Sequence, residues 1–494
     1  MTRELDILIV GAGVVGLSIA RQMSRYNLRI AVVEKEPDVA MGATKANSAI
    51  VHGGYAEHHK TLKGQLCYAG RRQFAQLCRD LQVPFKPCGS LVATEQENDR
   101  PHLESLLDNG RKNGLDDLEI IGQDQLRQLE PEISPRMRYA LWCRGAGICS
   151  PYELAIALAE NAIDNGVAIY LNQPLLAAEW QPERHRFSLS TPDHHFLARY
   201  AINATGLAAA EVRSLIGEPP YSIQPRSGQY LLMQRGSGDR LRQVLFPMPG
   251  PMGKGILVAP TVYGNLIVGP DALDANGEAD RSTDLDRLNA IWLQARHSNS
   301  ALDPKEMIRS FSGVRAVATT DDFIIEMSSI RGWIDAAGIQ SPGLTASPAI
   351  AERIEAIIRD DGLPLIKKDN WQPRRIAEAA MTGPLPYTMR DAADRATWPD
   401  GPERMICRCE QVEQQRISGL FQRVLPVLTI DAVKRRTRAG MGICQGQFCR
   451  PRVIEQINRY GQLYDDKTDA ERLGLRRVDR TAWLAWLKEN DVPS

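Results

Sequence analysis

The fold of this chain is decided by the stretch Asp6-Ile7-Leu8-Ile9-Val10-Gly11-Ala12-Gly13-Val14-Val15-Gly16. The apolar run Ile7 to Val10 predicts a buried strand, and Leu17 to Arg25 predicts the helix that follows the glycines. A second strand is predicted from Arg29 to Val33. Strand, glycine-rich turn, helix and strand in this order form a β-α-β unit that is typical of dinucleotide binding.

Each glycine of the turn, and one acidic residue after it, has a distinct expected role. Gly11 permits the tight turn, Gly13 lets a pyrophosphate approach the backbone, and Gly16 lets the helix pack closely on the strand. The helix N-terminus then stabilises the phosphate charge. Glu34 ends the second strand, where its carboxylate can accept hydrogen bonds from ribose hydroxyls. The sequence therefore predicts a dinucleotide site built from these four residues.

Three further segments favour FAD as the dinucleotide. Residues 42–48 bring small polar residues just after the acid, residues 202–206 form a strand that ends in a small-residue turn, and residues 338–345 precede a predicted helix. All three resemble two-domain flavoproteins of the D-amino-acid-oxidase and glycerol-3-phosphate-dehydrogenase type. The resemblance implies that residues 338–345 lie beside the flavin's pyrimidine ring, where a helix N-terminus stabilises negative charge on reduced flavin. The FAD contacts expected from these segments are Thr44, Ser48, Ala204, Gly206, Gly338, Gly343, Leu344 and Thr345.

Four cysteines near the end of the chain form two close pairs, Cys407 with Cys409 and Cys444 with Cys449. Thiolate sulfur is soft and selects zinc or an iron–sulfur cluster. The C-x-C spacing of the first pair is tighter than the two to four intervening residues usual in structural zinc sites, so it favours a cluster. The basic, glycine-rich run 437–442 can offset the cluster's negative charge. Zinc and four unrelated buried thiols stay open as alternatives.

The segment around these cysteines resembles the ferredoxin-like domain of the bacterioferritin-associated ferredoxin, which binds a 2Fe–2S cluster. The matching residues are 407–410 and 434–449. The second cysteine pair is more widely spaced than in the stand-alone ferredoxin and looks like the version fused to flavin dehydrogenases. The resemblance implies a carrier of single electrons that follows the two-electron chemistry of a flavin.

The sequence between the cofactor motifs resembles flavoenzymes that oxidise hydroxylated acids. Runs within residues 47–94 and 246–272 resemble L-2-hydroxyglutarate oxidases. Residues 312–315 also resemble glycerol-3-phosphate dehydrogenases, in which an arginine contacts the substrate's anionic group. Together with the cluster domain, the likeness comes closest to the large subunit of anaerobic glycerol-3-phosphate dehydrogenase. Two departures concern the substrate: no histidine stands in 254–259, and the stretch 340–342 lacks a lysine that some glycerol-3-phosphate enzymes carry.

Three residues are the candidates for contact with substrate. His52 follows an FAD segment and is the best candidate for the base that takes a hydroxyl proton, although a lone histidine is often structural. Arg315 offers a guanidinium fork for a carboxylate or phosphate, with a structural ion pair as the alternative. Lys254 lies next to glycines, where a mobile cation can close over an anion, or it is a solvated surface lysine.

The expected architecture has three parts. An α/β Rossmann-type FAD-binding domain carries an inserted α+β substrate domain with an antiparallel sheet, and a small helical iron–sulfur domain follows. The oxidoreductase domain is predicted at 1–360. The predicted segments are 1–80, 145–215 and 305–360 for FAD, 80–145 and 215–305 for substrate, 361–402 for a linker, 403–460 for the cluster domain and 461–494 for a tail, which we expect to dock on the protein.

Composition narrows the function classes. The 494 residues suffice for two or three domains, and 60 basic side chains balance 60 acidic ones, so nucleic acid is not an expected partner. No apolar run reaches the roughly 18 residues of a membrane span. Nine cysteines in no framework pattern, with no export signal, point to the cytoplasm.

We therefore predict a cytoplasmic FAD-dependent dehydrogenase of a small anionic substrate, such as glycerol 3-phosphate or a 2-hydroxy acid. Electrons would leave through the 2Fe–2S cluster to a partner subunit or quinone, with peripheral membrane association only through that partner. An amine or imino-acid dehydrogenase and a non-catalytic electron-transfer subunit are the alternatives.

Overall fold

The computed structural model describes residues 2–219, 221–248, 255–275, 277, 280–375, 404–461, 463 and 465–489. Their strands are β1 (Thr2–Val10), β2 (Ile30–Val33), β3 (Ile50–Val51), β4 (Phe85–Lys86), β5 (Ser90–Thr94), β6 (Leu118–Gly122), β7 (Tyr139–Cys143), β8 (Gly147–Cys149), β9 (Ala168–Tyr170), β10 (Ala177–Gln181), β11 (Arg186–Ser190), β12 (His195–Asn203), β13 (Ile223–Met233), β14 (Val244–Pro247), β15 (Leu257–Pro260), β16 (Leu266–Gly269), β17 (Leu273–Asp274), β18 (Met307–Ala318), β19 (Ile324–Met327), β20 (Trp333–Ala337), β21 (Met405–Cys407) and β22 (Val412–Glu413). Their α-helices are α1 (Val14–Met23), α2 (Leu62–Leu81), α3 (Arg100–Lys112), α4 (Gln123–Leu129), α5 (Pro151–Asp164), α6 (Ala209–Ser214), α7 (Leu285–Ser298), α8 (Gly343–Asp360), α9 (Gln414–Ser418), α10 (Ile430–Thr437), α11 (Arg450–Tyr460), α12 (Asp469–Arg472) and α13 (Arg480–Glu489).

The first domain is built on a sheet with a parallel centre. Strand β1 pairs in parallel with β2 and β12, β2 pairs with β9, and β12 pairs with β20. Strands β10, β11 and β19 add antiparallel edges. Because alternate residues of a strand face opposite sides, Ile7 and Ile9 join the core that includes α1, α5 and α8, whereas Leu8 and Val10 join a second core on the other face. The predicted Rossmann-type α/β domain is confirmed.

The second domain is a nine-stranded, mainly antiparallel sheet inserted into the first. Its strands run in the order β17-β13-β16-β15-β14-β5-β7-β6, and β18 pairs with β13. Of the pairings within it, β14 with β5 is parallel. The strands come from residues 90–143 and 223–318, so two stretches of chain leave the first domain and return to it. The predicted inserted α+β domain is confirmed.

One predicted boundary is corrected by this sheet. We expected residues 305–360 to belong to the FAD-binding domain, yet β18 forms a long antiparallel ladder with β13, from Ile223 opposite Ala318 to Met233 opposite Met307. That backbone ladder places Met307–Ala318 in the substrate sheet. The return to the first sheet begins with β19, which pairs with β20.

The C-terminal domain has its own small core. The hairpin of β21 and β22 packs with α9, α10 and α11 around Val412, Ile417 and Ile457, all fully buried. The tail then returns to the substrate domain, where Trp483 of α13 is buried edge-on against Trp292 of α7 at a ring separation of 6.1 Å. The tail therefore docks on the protein, as its tryptophans predicted.

The first part of the predicted linker lies along the FAD-binding domain. Trp371 donates its indole N–H to Ser24 at 3.1 Å and packs under the guanidinium of Arg25. Arg375 pairs with buried Glu160. Residues 376–402 lie outside the described residues. No helix within the described part of the chain has the length and apolarity needed to cross a bilayer.

Candidate functional site

The glycine turn has the close contacts that the sequence predicts. Gly11 has φ +104°, and a Cβ there would lie 2.6 Å from the carbonyl oxygen of Ala204. A Cβ at Gly16 would lie 2.1 Å from the carbonyl oxygen of Gly11, so helix α1 touches the turn itself. A Cβ at Gly13 would meet only the hydroxyl of Thr44, at 3.4 Å. The space over Gly13 is therefore open for a diphosphate, whereas the other two glycines are needed for packing.

Two side chains from neighbouring segments complete this turn. Glu34 accepts hydrogen bonds from the backbone N–H groups of Ala12 at 2.7 Å and Glu36 at 3.1 Å. Burial raises the pKa of Glu34 to about 7, although these hydrogen bonds oppose the rise. Thr44 accepts a hydrogen bond from Val14 N–H at 3.0 Å, at the first residue of α1. Residues from three separate segments thus meet at one helix N-terminus, the geometry that suits a dinucleotide's phosphates.

The remaining predicted cofactor contacts lie in four places: after β12, before β3, after β20 and at the start of α8. Ala204 and Gly206 follow the end of β12, and a Cβ at Gly206 would meet nothing within 4 Å. Ser48 is half-buried between residue 44 and β3. Gly338 has φ +64°, in the turn after β20. Gly343, Leu344 and Thr345 form the first turn of α8.

The start of α8 is tied directly to the segment that carries His52. The hydroxyl of Thr345 accepts a hydrogen bond from the backbone N–H of His52 at 2.9 Å. The imidazole Nε2 of His52 lies 3.2 Å from the hydroxyl oxygen of Ser341. His52 and the turn 338–345 are therefore brought together from positions almost 300 residues apart, as the expected place of both beside a flavin requires.

A small cavity opens next to His52. Its walls are mostly apolar and consist of His52, Gly53, Gly54, Tyr55, Ala56, Glu57, Cys67, Val92, Leu106, Phe246, Pro247 and Pro342. Glu57 lies 3.6 Å from the ammonium of Lys63, which also lies 3.2 Å from Asp321. Of these three charged residues, Glu57 is the one that lines the cavity.

Arg315, one of the two predicted anion-binding residues, stands apart from these walls. Arg315 lies on β18, on the face that Gly313 also occupies, and a Cβ at Gly313 would lie 1.9 Å from the carbonyl oxygen of Ala46. This face of the strand therefore packs on the FAD segment 42–48. The guanidinium of Arg315 donates to the carbonyl of Asp271 at 3.2 Å and does not line the cavity. Lys254 lies outside the described residues.

The four cysteines of the C-terminal domain come together as two pairs of sulfurs. The Sγ atoms of Cys409 and Cys444 are 3.5 Å apart. Cys449 hydrogen-bonds Cys407, which lowers the pKa of Cys407 and raises that of Cys449. A Cβ at Gly442 would lie 2.3 Å from the Cβ of Cys409, so only glycine lets the turn approach this closely.

This paired arrangement suits a cluster with two irons. Among the described residues no three histidine, cysteine or acidic side chains converge as ligands of a single metal ion do. Four cysteine ligands hold a 2Fe–2S cluster, with two thiolates for each iron. The residues present therefore fit this cluster: Cys407 and Cys409 lie at the end of β21, and Cys444 and Cys449 lie in the loop before α11.

A buried charge network joins the cluster domain to the FAD-binding domain. The carboxylate of Asp38 accepts hydrogen bonds from Arg435 at 2.7 Å and from both terminal nitrogens of Arg436 at 2.8 and 2.9 Å. Lys45 pairs with Asp469 at 2.6 Å. Asp38 lies between Glu34 and Thr44 along the chain, and Lys45 directly follows Thr44, so α10 of the cluster domain supports the FAD segment from outside.

Sequence reasoning missed several of these residues. The basic run Lys434-Arg435-Arg436 was a visible signal, but its partner Asp38 carries no local pattern. Ser341 stood in the flavin turn without an assigned contact. Glu57 acquires its position only through the fold, which turns the loop after His52 into a cavity wall.

Comparison with known proteins agrees with this geometry. Residues 6–357 match the family model described as FAD dependent oxidoreductase, and residues 405–459 match the BFD-like [2Fe-2S] binding domain. A glycerol 3-phosphate dehydrogenase of Caloramator mitchellensis is 39% identical over 472 residues, which cover 94% of this chain and 96% of that protein.

Two further relatives match smaller parts of the chain. A human mitochondrial L-2-hydroxyglutarate dehydrogenase is 28% identical over 287 residues, which cover 55% of this chain and 62% of that protein. The solved structure of dithionite-reduced L-alpha-glycerophosphate oxidase from Mycoplasma pneumoniae with FAD bound superposes with a TM-score of 0.72 at 28% identity. That superposition covers 76% of this chain and 98% of the oxidase.

Proposed function

The chain belongs to the family of FAD-dependent oxidoreductases, and from this premise we propose that it is a glycerol-3-phosphate dehydrogenase. It is an oxidoreductase acting on CH–OH donors, and its cofactors are FAD and a 2Fe–2S cluster. The finer parts of the proposal are the substrate, the roles of individual residues and the route of the electrons.

The observation that carries the choice of substrate is the charge of the cavity wall. Glycerol 3-phosphate has one anionic end and one neutral hydroxymethyl end, whereas 2-hydroxyglutarate is anionic at both ends. Glu57 is the acidic residue in the cavity wall, so its carboxylate favours a hydroxyl that can donate to it and repels a second carboxylate. A relative named for glycerol 3-phosphate that matches nearly the whole chain supports the same choice.

When bound, FAD accepts the hydride from the alcohol carbon, and the cluster carries the electrons onward one at a time. His52 is the proposed base for the hydroxyl proton, because it lines the cavity and the Ser341 hydroxyl, within hydrogen-bond distance of its Nε2, orients the ring. Arg315 and Lys254 are the proposed partners of the phosphate. The apolar walls, including Val92 and Phe246, exclude water around the reacting carbon.

The cluster domain supports a dehydrogenase that hands its electrons to a partner. The superposition with the glycerophosphate oxidase covers 98% of the oxidase but only 76% of this chain. About a quarter of this chain therefore has no counterpart in that oxidase. The four cluster cysteines lie in residues 405–459, outside the oxidoreductase match at 6–357, where they provide an exit for electrons that an enzyme using oxygen does not need.

Anaerobic reduction of the purified protein tests the proposal. The flavin absorbance should bleach with sn-glycerol 3-phosphate, and much more slowly with L-2-hydroxyglutarate, proline or sarcosine. His52→Gln should keep its FAD but lose most of the bleaching rate. Faster bleaching by L-2-hydroxyglutarate than by glycerol 3-phosphate would contradict the choice of substrate and favour the second relative.

A further inference from the structure

An exposed surface surrounds the cluster cysteines. The seven chain neighbours of Cys407, Cys409, Cys444 and Cys449 include three exposed residues, Arg408, Ile443 and Phe448. We name these three residues the cluster patch. Consecutive Cα atoms are about 3.8 Å apart, so each member of the patch lies beside a sulfur ligand.

The apolar members of this patch are unusual for a protein surface. Phe448 is 78% exposed, the highest value among the large apolar side chains of the described residues, and Ile443 is 58% exposed. Other apolar residues of the same domain are buried in its core, such as Val453 and Ile457. Single exposed apolar residues are common, but adjacent ones at a functional centre indicate a binding surface.

The charge of the patch indicates which kind of partner it fits. Arg408 is exposed between the first two cysteines, whereas the nearby acid Glu410 is buried and pairs with Arg438 at 2.8 Å. Arg450, after the last cysteine, is paired with Glu471. The exposed charge next to the sulfurs is therefore positive, and a negatively charged partner is complementary to it.

We propose that the cluster patch is the docking surface for a one-electron redox protein that has an apolar contact area and an acidic rim. This inference rests on the proposed role of the cluster as the electron exit. Oxidation of one alcohol to a ketone releases two electrons and two protons, so two acceptor molecules each take one electron at this surface. Interfaces of this transient class are small, and electrostatic attraction sets their association rate more than their affinity.

The test uses two protein acceptors of opposite charge as probes. Plastocyanin is an acidic copper protein with an apolar contact area, and cytochrome c is a basic haem protein. The full-length holoenzyme is reduced with dithionite, so the result does not depend on which substrate the enzyme uses. We expect plastocyanin to be reduced at least tenfold faster than cytochrome c at low ionic strength, with the difference shrinking as salt screens the charges.

Variants of the patch separate docking from cluster chemistry. Phe448→Ser and Arg408→Glu should each slow electron transfer to plastocyanin at least tenfold and weaken its equilibrium binding, measured by biolayer interferometry. The electron paramagnetic resonance signal of the reduced cluster should stay unchanged. Leu176→Ser and Arg353→Glu are matched controls on exposed positions of the FAD-binding domain and should leave both measurements unchanged.

Several results would overturn the docking surface. Equal rates of reduction for plastocyanin and cytochrome c, without salt dependence, would show that the charge of the patch does not select the partner. Unchanged binding of plastocyanin by Phe448→Ser would show that the partner makes no apolar contact with this residue. Loss of a dimer in Phe448→Ser, seen by light scattering, would instead identify the patch as a contact between two copies of this chain. If these variants instead reduced a soluble quinone more slowly while electron transfer to plastocyanin stayed unchanged, the cluster patch would be a site for a small acceptor.

Discussion

Removal of the Asp38 carboxylate should release the cluster domain from the FAD-binding domain. Asp38 and Arg436 have fully buried side chains, and Arg435 is nearly so. In Asp38→Ala both guanidiniums stay buried while three of their hydrogen bonds are lost. Breaking a buried ion pair by removing one partner costs about 3–5 kcal/mol, because the remaining charge is left uncompensated. Arg435 keeps its bond to Asp469 at 2.8 Å, so we expect the lower part of that range.

Hydrogen exchange of the amides in Ile430–Thr437 measures this loss directly. A decrease of about 3 kcal/mol in the free energy of opening corresponds to roughly a hundredfold faster exchange, since about 1.4 kcal/mol is tenfold. The segment 34–45 should exchange faster as well, and FAD should dissociate faster, because Thr44 loses its outer support. Glu4→Ala is the matched control: its pair with Arg29 is exposed, and its loss should change stability by less than about 1 kcal/mol.

The same carboxylate makes the interface sensitive to acid. Burial alone would raise the pKa of Asp38, but the charges of Arg436 and Arg435 outweigh it and lower this pKa to about 2. The unfolded value is about 3.9. A carboxyl whose pKa is lower in the folded than in the unfolded protein stabilises the fold at pH values above its unfolded-state pKa. That stabilisation is lost as the pH falls through its folded-state pKa. After correction for the intrinsic exchange rate at each pH, the free energy of opening of Ile430–Thr437 should therefore decrease between pH 4 and pH 2, and Asp38→Ala should lack that component.

The reasoning fails if Asp38→Ala changes exchange in Ile430–Thr437 less than fivefold while the protein stays folded. The interface would then be held by its apolar contacts, and the charge network would be neutral overall. Asp38→Asn keeps the shape and one acceptor oxygen, so its effect should fall between those of the parent and the alanine variant.

Three further predictions concern the cofactors and the substrate. Gly13→Val should abolish FAD retention in a folded protein, since its side chain fills the open space over the turn; normal flavin content on gel filtration would refute this. Cys444→Ser should lose iron and sulfide but keep FAD and near-parent flavin bleaching, whereas bleaching as impaired as in Arg315→Ala would make the cluster domain part of the substrate site. Glu57→Gln should narrow the preference for glycerol 3-phosphate over L-2-hydroxyglutarate by roughly tenfold, about 1.4 kcal/mol, in kcat/KM; an unchanged ratio would contradict the charged-wall argument.

The cofactor motifs could be read from sequence because their chemistry is local. The glycine turn requires a close backbone contact between residues a few positions apart, as the distance between Gly16 and the carbonyl of Gly11 illustrates. The C-x-C pair keeps two thiols within two residues of each other, so both can reach one site. The sequence predicted an antiparallel substrate sheet. It could not assign β18 to that sheet rather than to the FAD-binding domain, because the assignment depends on the pairing of β18 with β13, which no local pattern records.

The sequence by itself determined that this chain binds a dinucleotide and carries a thiolate cluster, because both sites are set by residue types at short spacing. Tertiary structure alone decided three other features. It bonded His52 to the turn that carries Ser341, placed Glu57 in a cavity wall, and buried Asp38 against the two arginines of the cluster domain. The physical reason is that each of these contacts joins segments distant in the chain, and burial, which gives the charges their strength, exists only after those segments have packed.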